Sequence, residues 1–81
     1  MLEMRPNCEC CDADLAPDQT GALICSFECT FCAPCGETLN GKCPNCGGAL
    51  IARPTRVAAM LAKYPASTAR KLRAEPCPGS N

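Results

Sequence analysis

Apolar residues in this chain come in short bursts, each closed by polar residues, glycine or proline. Leu2 and Met4 alternate with Glu3 and Arg5, which predicts a short extended strand that Pro6 stops. Residues 7–11 read as a tight turn. Residues 12–21 are polar, contain Pro17 and Gly21, and read as a surface loop. Residues 22–25 and 29–32 can pair as a hairpin with Ser26, Phe27 and Glu28 at its tip. Glu37, Thr38 and Leu39 predict one helical turn, which Asn40 and Gly41 end because both tolerate positive φ. Residues 49–51 predict a closing strand.

Beyond Arg53 and Pro54 the period becomes helical. Thr55 is the expected cap of a helix running to about Lys63, with Pro65 beyond it. Val57, Met60, Leu61 and Tyr64 fall on one face of that helix, which either docks on the preceding residues or frays. Ser67 or Thr68 is the expected cap of a second short helix through Arg73, and residues 76–81 read as a disordered terminus. The chain therefore divides into a module over 1–52 and a basic, partly helical tail over 53–81.

Composition changes this picture. In 81 residues the apolar fraction is 47%, but 10 of those residues are Cys and 12 are Ala. Too few large apolar side chains remain to offset the entropy of ordering the chain, so crosslinks must substitute for core. Ten cysteines mean disulfides or metal, and the compartment decides between them. No apolar run near the N-terminus suits a signal peptide, and nothing approaches a membrane span. The expectation is a cytoplasmic protein with reduced thiols and no membrane contact, in which paired cysteines hold metal. Net charge is zero, yet residues 1–50 hold seven acids against Arg5 and Lys42, while residues 51–81 hold six bases against Glu75.

Eight cysteines form four close pairs, 8/11, 25/29, 32/35 and 43/46. Two cysteines separated by two residues suit one metal, because the intervening backbone curls both sulfurs inward and turns its N–H groups onto them. Cys43-Pro44-Asn45-Cys46-Gly47-Gly48 is the most specific example: Pro44 sets the turn and Gly47 lets the chain leave in a left-handed conformation. Thiolates are the ligands zinc takes in closed structural sites, so the expected cofactors are two Zn²⁺.

The order of the pairs, with Cys29 at the usual His position, Phe31 before Cys32, Leu39 after Cys35 and Pro44 inside the last pair, resembles the RING finger family. That resemblance implies a small metal-stabilised α+β fold of RING-like, treble-clef type with short hairpins and one helical turn. It also implies cross-braced ligation: Cys8, Cys11, Cys32 and Cys35 in the first site, and Cys25, Cys29, Cys43 and Cys46 in the second. A sequential arrangement, 8/11 with 25/29 and 32/35 with 43/46, is the alternative. Residues 2–11, the segment Ile24 to Cys32 and the final knuckle also resemble a narrower family of short, uncharacterised bacterial cysteine-rich proteins, over about residues 1–54. This implies a cytoplasmic zinc-binding protein and no particular activity.

RING domains commonly recruit ubiquitin-conjugating enzymes, and this chain departs from the members that do. Glu9 stands where they have an apolar residue, Gly47 where a basic one is common, and there is no Trp. The resemblance thus carries fold rather than ligase activity. Absence of His, of a Ser/His/Asp set and of a phosphate loop argues against an enzyme. The reading is a non-catalytic interaction module whose partner is another protein, with Phe27 at the hairpin tip as a contact. The alternatives are nucleic-acid binding through Arg53, Arg56, Arg70, Lys71 and Arg73, a zinc or redox sensor, and an iron–sulfur protein. Cys10 is either a reduced neighbour or a substitute ligand in the first site, and Cys77 is expected to be an inert, exposed thiol.

Overall fold

The computed structural model describes residues 2–74 and Cys77. Three two-residue strands, β1 (Leu23–Ile24), β2 (Thr30–Phe31) and β3 (Ile51–Ala52), form an antiparallel sheet in the order β2-β1-β3. The β1–β2 hairpin pairs Leu23 with Phe31 and Ile24 with Thr30, as the alternation predicted, and β3 closes on the other edge of β1. The closing strand begins at Ile51 rather than Ala49, because Ala49 is taken by an isolated bridge to Lys42.

Helix α1 spans Ala33–Thr38, four residues earlier than Glu37. The start signal is Pro34, whose fixed φ suits the first turn, with Cys32 extended as the cap. Its end is as predicted: Asn40 and Gly41 have φ of 55° and 70°, and the Gly41 amide reaches back 3.0 Å to the Gly36 carbonyl. Gly36 is buried because α1 packs on the sheet there, with Leu23 where a β-carbon would go. The core is correspondingly small. Phe31, Leu15, Ala22 and Leu39 are buried together with Cys8, Cys25, Cys43 and Cys77, so cysteines supply half of the cluster.

Three expectations need correction. Residues 2–7 form no strand: Met4 is buried in a left-handed conformation (φ 58°), while the Glu3 amide bonds the Glu28 carboxylate and Asn7 bridges Asp14. Helix α2 is only Ala58–Leu61, capped by Val57 and not by Thr55. The Arg56 amide is held by the Pro17 carbonyl at 2.8 Å, which keeps the chain extended to Val57. No second helix follows between Ser67 and Arg73. The amides of Ser67, Lys71 and Arg73 pair instead with Glu3, Asn7 and Glu9, donating to the head and not to their own carbonyls.

The apolar face of α2 does not dock. Val57 is 61% exposed and Met60 45%, with Tyr64 exposed and only Leu61 half-buried. The reading of residues 76–81 lies outside the described residues, apart from Cys77. That residue corrects the expectation for it: it is 5% exposed and disulfide-bonded to Cys10.

Candidate metal centres

Each cysteine pair is delivered by a different local device. Cys8 and Cys11 flank a turn that the Asp12 amide closes on the Cys8 carbonyl at 2.9 Å. Cys32 caps α1 and Cys35 sits in its first turn, so the helix geometry turns both sulfurs to one side. Cys25 ends one arm of the hairpin and Cys29 begins the other, joined by a Cys25 amide to Cys29 carbonyl bond of 3.2 Å. Cys43 to Cys46 is the predicted knuckle, closed by the Gly47 amide on the Cys43 carbonyl at 2.8 Å, with Gly47 at φ 78°.

The fold gathers these pairs alternately. The sulfurs of Cys8, Cys11, Cys32 and Cys35 all lie within 4.8 Å of one another, and so do those of Cys25, Cys43 and Cys46. The Cys29 thiol lies against that of Cys25, beside the second group. Cys8 and Cys11 thus meet the third pair and not the second, and the chain passes between the clusters three times.

Both clusters fit a thiolate-bound ion. Cys11 and Cys32 sulfurs are 3.6 Å apart, against about 3.8 Å for the edge of a tetrahedron with metal–sulfur bonds of about 2.3 Å. Backbone amides point at the sulfurs, from Phe27 to Cys25 at 3.3 Å and from Gly48 to Cys46 at 3.4 Å. Acidities follow the crowding. Burial raises the Cys8 thiol pKa, but N–H groups of Cys11, Cys32 and Cys10 more than offset it and leave it low. At Cys25 burial is likewise outweighed, by the amides of Phe27 and Cys29. Their neighbours move the other way. Burial and the adjacent thiols push Cys32 and Cys35 up, and take Cys43 up to about 12. A thiolate is therefore favoured at Cys8 and at Cys25, while at Cys32, Cys35 and Cys43 a cation would offset what burial and the neighbouring thiols impose.

Glu9, noted in the sequence only as a departure from the RING pattern, connects the two clusters. It is buried, and its carboxylate accepts from the Thr30 amide (2.8 Å), the Arg5 guanidinium (3.0 Å) and the Asn45 side-chain amide (3.4 Å). Glu9 lies inside the first knuckle, Asn45 inside the last, and Thr30 on the hairpin, so one carboxylate sets three cysteine-bearing segments. Its sequence signal was a charged residue between two ligands, legible only as something to be compensated.

The expected partner-contact residues separate into two groups. Phe27 is 71% exposed at the hairpin tip. The basic residues instead face the head: Arg53 is buried and donates to the carbonyls of Arg5, Leu15 and Ala16, and Arg56 donates to those of Leu2 and Tyr64. Arg70 pairs with Asp12 and Asp14 at 2.9 and 2.8 Å, and Arg73 donates to Asn45. Lys71 exchanges backbone bonds with the Asn7 side chain.

These features define a small cysteine-rich α+β protein whose two thiol clusters can hold metal ions. The chain belongs to the family described as Protein of unknown function (DUF1272), whose model matches residues 1–56 and so spans all eight cluster cysteines. It is 67% identical over 78 residues to an uncharacterised protein of Rhizobium meliloti (strain 1021), across 95% of this chain and 93% of that protein. No solved structure matches the chain. Among the described residues no helix is long and apolar enough to cross a membrane.

Proposed function

We propose that the protein is a non-catalytic, two-zinc interaction module with RING-like, cross-braced ligation, acting in the cytoplasm on a protein partner. The observation that carries this reading is the alternate gathering of the cysteine pairs into two compact sulfur groups. Cys8, Cys11, Cys32 and Cys35 would hold one ion, and Cys25, Cys29, Cys43 and Cys46 the other. Closed thiolate sites hold a shape and leave no open coordination position for a substrate. The chemistry the ions supply is crosslinking, and the surface does the recognition.

A protein partner is favoured over nucleic acid because the guanidinium groups of Arg53, Arg56 and Arg70 are engaged on the head itself, and because Phe27 stands out from it. Zinc is favoured over an iron–sulfur cluster by two separate sulfur groups, one of four and one of three with Cys29 beside it, each of a size for one ion.

Native mass spectrometry of the purified chain tests the metal, with two zinc ions per chain expected; iron with absorbance near 400 nm would overturn it. Capture of partners from native cells by the wild type and by Phe27→Ser tests the recognition. The expected result is a partner that the variant fails to retain. Equal capture by both, or capture of nucleic acid alone, would overturn the proposed contact.

A further inference from the structure

Two cysteines lie outside both clusters, and the structure joins them: Cys10 is bonded to Cys77, while the other eight are free thiols. The bridge spans 67 residues of sequence and ties the turn of the first knuckle to the far end of the tail. Between them the chain from Ser67 to Arg73 lies across the head. Ser67 donates to the Glu3 carbonyl, Lys71 to Asn7 Oδ1, and the Arg73 amide to the Glu9 carbonyl at 3.0 Å. The Arg73 side chain adds a 2.8 Å bond to Asn45. This strap thus reaches the first and last knuckles together through hydrogen bonds to Glu9 and Asn45.

Apolar burial contributes little to it. Leu72 is 59% exposed, and Arg70 pairs with its acids at the surface. Hydrogen bonds of this kind exchange with water at small net cost, so the covalent link is what keeps the strap in place. Every other described cysteine belongs to one of the sulfur groups, so this pair can change state without dismantling either.

We propose that Cys10 and Cys77 form a redox site separate from the metal clusters, a dithiol that a low-molecular-weight disulfide oxidises, fastening residues 67–73 over the two knuckles. The Cys77 sulfur lies 3.4 Å from the Arg73 guanidinium, and with the strap released it is the attacking group. The Cys77 thiolate attacks one sulfur of the small disulfide, whose S–S bond breaks and whose other half leaves as a thiolate. The Cys10 thiolate then attacks Cys77 Sγ, forming the bridge and expelling the second small thiolate. Two electrons pass from the protein dithiol to the disulfide, and the protons of both cysteines leave with the two small thiols. Excess small thiol reverses the sequence and frees the strap.

The test uses the full chain as purified, equilibrated in glutathione buffers from fully reduced to fully oxidised, with metal content followed throughout. Expected is a Cys10–Cys77 crosslinked peptide that forms and breaks with the glutathione ratio at constant metal content. Hydrogen exchange at the Ser67, Lys71 and Arg73 amides should slow by about tenfold or more in the oxidised form. Cys77→Ser should exchange fast at every ratio and keep its metal. Loss of metal before the bridge forms, bridging within a cluster, equal exchange in both states, or slow exchange in Cys77→Ser would each overturn the proposal. The metal content of the untreated protein reads separately on the two-zinc reading, so the two can fail independently.

Discussion

Residues 2–52 and residues 53–73 lie against each other but are held by different groups. In the first region the backbone makes turns, a hairpin and one helix, each too short to persist alone, and the eight thiols meet where those devices converge. In the second region the one helix has four residues, the apolar side chains of its face are exposed, and attachment runs through guanidinium groups and backbone amides reaching head carbonyls. The difference teaches where apolar burial was replaced. Sulfur clusters take its place in the head; in the tail it is taken by hydrogen bonds from Arg53 and Arg56 and, beyond residue 66, by the Cys10–Cys77 bridge.

The largest expected effect separates the regions by metal. Chelation should unfold the head, because ligand binding and folding are one free energy in such modules, about 10 kcal/mol or more for a structural zinc. Circular dichroism of the chelated protein checks this, and a persistent folded spectrum would count against the clusters as the source of stability. Acid should act in the same direction. The raised thiols of Cys32, Cys35 and Cys43 must release protons to bind a cation, so falling pH favours the protonated, metal-free form. Apparent affinity should drop by up to about tenfold per pH unit for each proton released. A chromophoric zinc indicator read between about pH 7 and about pH 5 follows the loss.

Next comes the group that joins the regions. Arg53→Met leaves the carbonyls of Arg5, Leu15 and Ala16 without their buried donor, and should cost about 3 kcal/mol in urea unfolding of the metal-loaded protein. A change below about 0.5 kcal/mol would mean that the tail merely rests on the head. Within the head, Gly36→Ala drives a methyl onto the end of the half-buried Leu23 side chain, which must swing aside; set against the helix propensity that Ala adds, a net loss of no more than about 1 kcal/mol is expected in the same assay. Smallest is the exposed face of α2. Val57→Ser combined with Met60→Ser should change stability by no more than about 0.5 kcal/mol. A larger loss would show that face to be covered in solution.

Features written in local chemistry were readable in advance. The hairpin, the Asn40-Gly41 helix end and the left-handed Gly47 depend on contiguous residues, and each appears where the chain predicts it. The misread segments are those that long-range hydrogen bonds override. Thr55 is a good cap by type, yet the Pro17 carbonyl holds Arg56 extended and moves the helix start to Ala58. Residues 67–73 have helical propensity, and their amides are nonetheless used by Glu3, Asn7 and Glu9. Of the candidate site, the four cysteine pairs were evident from spacing, whereas the roles of Glu9 and Arg53 depend on neighbours distant in sequence.

The spacing of cysteines by itself determined that this chain would fold around sulfur, since sulfurs two or three residues apart converge through the backbone that joins them. Only the tertiary structure decided which pairs meet, that Cys10 finds Cys77, and that the basic tail turns back onto the acidic head. Those choices are made by contacts between segments tens of residues apart, whose free energy no local pattern contains.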